Sequence, residues 1–382
     1  MKIQVKFLRM ALAAILFLFG AMAPAAAKPA KKAEPGQTIS AFDCAPGAPC
    51  AAKLQVKVVV VTLFEIGADT GDKPAEFQFW KERRKLDSKI AFPHSFHDLW
   101  YNPESQILGI VTGIGTANSS AAIMALGLDP RFDFSSSYWL VAGIAGIDPA
   151  DGTLGSAAWA EYIIDGDLAH EIDPREMPAD WPTGYVPLSQ SKPYEEPRKN
   201  RLGDVVFRLN PGLVDWAYRL TRDTPLMETD IMIQNRNRYT QHPKARQSPS
   251  VMKGDNLAAS TFWHGRLMNQ WANDWTRYWT DGRGNYVTTA MEDSGTLQAL
   301  TFLGQAGCVD TNRVLVLRTA SNFDMQPPGK TAAENLVEEN SGKFSAYIPS
   351  LEAAYGVGSR VVHELVNHWS RYADSIPQTP AP

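Results

Sequence analysis

Four groups of residues in this chain have types and spacing suited to work on a small polar molecule. Glu292 follows Met291 and opens a helical stretch, where negative charge is favoured. Asn322 and Asp324 come just after the apolar run Val314 to Arg318 and a short turn. Strand ends on one edge of an α/β sheet are where ligands bind. Two glycine turns, Thr112-Gly113-Ile114-Gly115 and Gly143-Ile144-Ala145-Gly146, each cap an apolar run. Glycine lets backbone approach a ligand closely. Glu65 follows the first such run, a carboxylate just past its end. Each group also has a plainer reading. Glu292 could stabilise its own helix, Asn322 could form a turn, and Glu65 could be a surface turn carboxylate.

Several chemistries are excluded. The Gly-x-Gly turn lacks the third glycine and the distant acid of a dinucleotide fingerprint, so no nicotinamide site is expected. The seven histidines show no metal-ligand spacing with acids or cysteines, so neither metal nor other cofactor is implied. Cys308 has no base nearby to activate it. A net charge of −4 without a basic stripe argues against nucleic-acid polymers as partners. Trp263, Leu267, Trp271 and Trp275 recur every four residues and read as a core-facing helix stripe.

The elements that must position these residues are short and apolar. Lys57 to Thr62, Gln106 to Thr112, Tyr138 to Ala142 and Arg313 to Arg318 read as strands. Their continuous apolar character predicts burial on both faces, as in a parallel or mixed sheet. Asn210-Pro211 predicts an N-cap and first helical residue, and Ser359 predicts the cap of a final helix. Residues 54–375 are expected to form a single domain with a Pro-rich surface insertion near 171–200 and a tail at 376–382.

The start reads differently. Lys2, Lys6 and Arg9 precede a short apolar run, and Ala25-Ala26-Ala27 offers a cleavage site. Residues 1–27 are expected to be a signal peptide and 28–53 a flexible leader. No other stretch approaches the ~20 apolar residues of a membrane helix, so the mature chain is expected to be soluble, in the periplasm or secreted. Cys44 and Cys50 flank a turn and are free to pair in an oxidising compartment.

Taken in order, the glycine turns, Met291-Glu292 and Arg318-Thr319-Ala320-Ser321-Asn322 resemble the nucleoside phosphorylase superfamily. Within it they resemble the purine nucleoside permease family, over Val56 to Asp324. The resemblance implies an α/β three-layer sandwich: a mixed sheet with helices on both faces. It implies a purine nucleoside (inosine, guanosine or adenosine) as partner, and leaves homo-oligomerisation open. Thr112, Gly113, Gly143, Met291, Glu292 and Phe262 would bind substrate, Glu292 on the ribose hydroxyls. Asn322 would face N7 of the departing base, with Asp324 as a substitute acid and Glu65 as base. Three departures stand out. The family's further acid falls on Ala290, its stacking phenylalanine on Leu257, and the arginine and serine that hold phosphate in hexameric relatives on Val141 and Ile144. A phosphate needs donors and positive charge, so water is the expected nucleophile. The name permease implies uptake instead, but a soluble chain cannot itself carry a solute through a bilayer.

Overall fold

The computed structural model describes residues 53–188, 190–196, 205–341 and 346–378. The expected signal peptide, most of the leader, and Cys44 and Cys50 lie outside them.

The expected strands form around one long central strand, Tyr138–Ile147. On one side it runs parallel to Val58–Thr62, which is itself parallel to Ile107–Val111. On the other it runs parallel to Val314–Phe323. Its far end turns against Tyr286–Ala290 in antiparallel register, Gly146 opposite Thr289. That strand continues in parallel to Asp255–Ala258 and then Tyr162–Asp165. The result is a mixed sheet, twelve strands among the described residues.

All five residues of Val58–Thr62 and of Ile107–Val111 are buried. A strand with one wet face would alternate, so these strands are covered on both sides. The main core also takes in Val357, Val361 and Leu365 of the long helix Tyr347–Asn367. Ile123 and Leu126 of Thr116–Gly127, and Leu300 and Leu303 of Asp293–Gln305, belong to it too. This is the α/β arrangement expected.

Local expectations met mixed outcomes. Asn210 caps Pro211–Thr221 by accepting from the N–H groups of Gly212 and Leu213. Ser359 does not cap a helix; it lies inside Tyr347–Asn367, which starts twelve residues earlier and whose first buried residue is Pro349. Trp271 and Trp275 are buried as the stripe predicts, whereas Leu267 is 70% exposed. The segment expected as a surface insertion carries strand Tyr185–Pro187, paired back to Ala169–Glu171, with the Tyr185 ring tilted against Trp271 at 4.5 Å between centroids.

Two strands outrun their expected ends. Gly143 to Gly146 is not a turn but the continuation of the central strand. Asn322 lies within the last strand, beyond a bulge after Ala320. The cause is mutual pairing: Gly143 opposes Arg318, Ile144 opposes Thr319, and Gly146 opposes Asn322. Each small-residue stretch supplies a ladder partner for the other, and neither is legible as a strand alone.

Candidate functional site

A cavity of about 310 Å3 opens at the carboxyl ends of these strands. Phe64 and Ile114 reach it from beyond the first two strands, and Ile144 to Gly146 and Ser321-Asn322 from the paired central and last strands. Thr289 to Glu292 and Thr261 to Trp263 close it from the other half of the sheet. Open α/β sheets place ligand sites at such strand ends.

Arg318 anchors the polar side of the cavity. It is 1% exposed, in a strand otherwise apolar around it. Its Nε donates to Asp293 (2.9 Å) and its Nη2 to the other oxygen of Asp293 (2.5 Å) and to Glu292 (3.1 Å). Its Nη1 donates to the Ile144 carbonyl (3.1 Å). Burial opposes its charge, but Asp293, Glu292 and Glu76 outweigh that and raise its pKa. The guanidinium passes over Gly143. A Cβ there would stand 2.5 Å from Nη1 and 2.6 Å from the Glu76 carboxyl, so this crossing requires glycine.

Two carboxyl groups line the cavity beside it. Glu292, 5% exposed, stands at the N-cap of Asp293–Gln305 and accepts from the N–H groups of Gly115 (3.3 Å) and Met291 (3.2 Å). Burial raises its pKa, with Arg318 opposing. Glu76 accepts from Leu63 N–H (2.8 Å) and Ile144 N–H (2.7 Å). Burial pushes it up from 4.5 to about 8, Arg318 pulling the other way and Glu292 adding to the rise.

The residues expected from sequence divide. Met291, Glu292, Asn322 and Phe262 line the cavity, Phe262 at 49% exposure near its rim. Gly143 lies beneath Arg318 and Glu76. Thr112 and Gly113 are one turn back from the lining; their segment contributes Ile114 and the Gly115 N–H instead.

Glu65 and Asp324 do not line the cavity. Glu65 accepts from the N–H groups of Ile66, Ala75, Phe77 and Gln78, at 2.7–2.9 Å. A carboxylate so saturated organises backbone, and the backbone it organises carries Glu76. Asp324 is buried behind the bulge, accepting from Tyr286 Oη (2.5 Å) and Asn269 Nδ2 (3.0 Å). Burial, with neighbouring Asp148 adding to it, raises its pKa well above the usual carboxylate value. Asn322 accepts from Ser321 Oγ (2.8 Å) and donates one amide hydrogen to the Phe323 carbonyl (3.0 Å). Its second amide hydrogen remains to be given.

Sequence reasoning missed Glu76, Asp293 and Arg318. Arg318 carried a signal, a cation inside an apolar run, because arginine is almost never fully buried unpaired. Asp293 is the residue next to Glu292. Glu76 carried no signal, since only the chain reversal held by Glu65 brings it to the cavity.

The molecule is thus an α/β protein with an acid-lined cavity at its strand ends. The model of the family described as purine nucleoside permease matches residues 55–377. The chain belongs to that family. It is 29% identical over 328 residues to the purine nucleoside permease of Candida albicans, covering 84% of this chain and 77% of that one. It is 31% identical over 322 residues to the "Probable purine nucleoside permease" of Schizosaccharomyces pombe, covering 82% and 90%. Among solved structures it is similar to the 5'-methylthioadenosine/S-adenosylhomocysteine nucleosidase of Neisseria meningitidis, with TM-score 0.48 and 12% identity over 81% of this chain and 99% of that one. It is also similar to the futalosine hydrolase of Helicobacter pylori, with TM-score 0.48 and 13% identity over 81% and 98%.

Proposed function

We propose that the protein is an exported purine nucleoside-binding protein that cleaves the N-glycosidic bond with water. One observation carries the choice of water. Among the described residues that line the cavity, the single cation is Arg318, and it is committed to Asp293 and Glu292. No second guanidinium or ammonium is among these described lining residues to meet a phosphate. A carboxyl group, Glu76, is there instead.

In this reaction Glu292 accepts from the ribose hydroxyls. The C1′–N9 bond breaks, its electron pair leaves with the base, and positive charge develops on the sugar, facing the carboxylates. A water oxygen bonds to C1′ and gives its proton to Glu76. Asn322 donates its second amide hydrogen towards N7 of the base. These are positioning and electrostatic tasks. The decisive assay incubates the purified chain with inosine and measures hypoxanthine, ribose and ribose 1-phosphate. Ribose with no dependence on phosphate is expected; ribose 1-phosphate in proportion to phosphate overturns the reading. Among the described residues no helix is long and apolar enough to cross a membrane. Nucleoside binding without base release would therefore favour a delivery role, the second reading that the family name supports.

Three further results are expected. Glu292→Gln should lower the rate with ribosides about a hundredfold, roughly 2–4 kcal/mol of transition-state binding. An identical loss with 2′-deoxyribosides and ribosides would take Glu292 off the hydroxyls. Asn322→Asp should shift preference from inosine towards adenosine. At this buried position the new carboxyl would have a raised pKa, and in its protonated form it could donate to N7 without the 6-oxo pattern. An unchanged inosine-to-adenosine ratio would remove Asn322 from the base. Export, finally, requires processing near Ala27. N-terminal sequencing of the exported protein should begin near Lys28, and intact Met1 in a salt-resistant membrane pool would remove export from the proposal.

A further inference from the structure

Asp293 is one of two acids that the expected site did not contain, and it is the one most tightly bound to Arg318. It offers both oxygens to the guanidinium, at 2.9 and 2.5 Å. It is also held from behind: Asn256 Nδ2 donates to it (2.7 Å), and Thr288 Oγ1 fixes the Asn256 carbonyl (3.0 Å). All of these side chains are buried. The Nε/Nη2 edge of a guanidinium is the fork that matches two oxygens of a carboxylate or a phosphate. Here the carboxylate of Asp293 already occupies it. Charge points the same way. Two carboxyl groups, Asp293 and Glu292, already surround one guanidinium before any ligand enters. An oxyanion arriving there would lose hydration and meet repulsion.

We propose that Asp293 determines which nucleophile the site accepts: by occupying the two-pronged Nε/Nη2 edge of Arg318 it excludes phosphate and similar oxyanions and leaves the cavity to water. This rests on the hydrolytic reading above for its catalytic meaning, but the exclusion itself is a binding property. Asp293 touches no substrate; it acts through Arg318.

The test is phosphate binding, measured by calorimetry in Tris chloride on the parent chain, Asp293→Asn and Asp293→Glu. No binding of millimolar phosphate is expected for the parent or for Asp293→Glu, which keeps the charge. Asp293→Asn should bind phosphate at least about tenfold more tightly than the parent, a difference of 1.4 kcal/mol or more. With inosine present, the same variant should form ribose 1-phosphate, the phosphate oxygen taking the place of the water oxygen at C1′. Asp293→Ser provides a second neutral side chain should the asparagine variant fail to fold. Phosphate binding by the parent would overturn the proposal, and so would neutral folded variants that gain none. A parent chain that cleaves no nucleoside at all would defeat the hydrolytic reading while leaving the phosphate titration to decide this one.

Discussion

Glu76→Gln should abolish most nucleoside cleavage while leaving nucleoside binding and the fold in place. The glutamine keeps the shape, and its amide oxygen can still accept one of the two backbone N–H groups that hold Glu76, from Leu63 and Ile144. It cannot take a proton from water. General bases contribute about 10²–10⁴-fold, so a loss of that size in kcat with little change in KM is expected. The pH profile gives an independent check. Burial raises Glu76 to about 8, so at neutral pH the free protein holds it mostly protonated. A base works in its ionised form, and kcat/KM should therefore rise with pH and level off above about 8. A falling profile across that range would make Glu76 an acid rather than a base. The stability sign is opposite. The folded pKa lies above the unfolded one, so this group's contribution is fully present below about 4.5 and is lost as pH rises through about 8. Activity and stability should thus move in opposite directions across this window.

The path to Glu76 shows what the sequence does and does not reveal. Buried apolar strands such as Val58–Thr62 are legible because a strand covered on both faces needs apolar residues at every position. Met291, Glu292 and Asn322 are legible only through the order of the motifs that contain them, which resembles the family's. The extensions of the paired strands are not, since Gly143-Ile144-Ala145-Gly146 becomes strand only through its partner, Arg318 to Asn322. Glu65 and Glu76 exchange roles for a similar reason. Both are acids near the first strand. Only the four N–H groups that converge on Glu65 make it the anchor and Glu76 the group it presents. That convergence is a tertiary fact. The Tyr347 hydroxyl, which donates to the Pro74 carbonyl (3.1 Å), ties the same segment to a helix more than 270 residues away in sequence.

Arg318→Leu should be the most damaging single change to the fold among the site residues. It removes the one cation from a buried group that includes Asp293, 0% exposed, and Glu292, 5% exposed. Replacing a whole buried ion group with apolar residues can be neutral, but removing one partner leaves uncompensated charge and costs about 3–5 kcal/mol. Here two acids are orphaned at once, and four hydrogen bonds go with them. The acids can relieve the strain in one way, by taking up protons. Their pKa values should climb once the guanidinium is gone, so the variant's deficit relative to the parent should shrink as pH falls and widen as pH rises. Denaturant midpoints of the two proteins, compared from about pH 5 to 8, measure this directly. A deficit constant across that range would mean that Arg318 supports the fold through packing alone. The same experiment separates the two acids: removing one of them with Arg318→Leu/Asp293→Asn should recover more stability than Arg318→Leu/Glu292→Gln. Asp293 is the more deeply buried and holds the shorter contact (2.5 against 3.1 Å). Glu292, with two backbone N–H groups as remaining donors, is the better able to keep its charge.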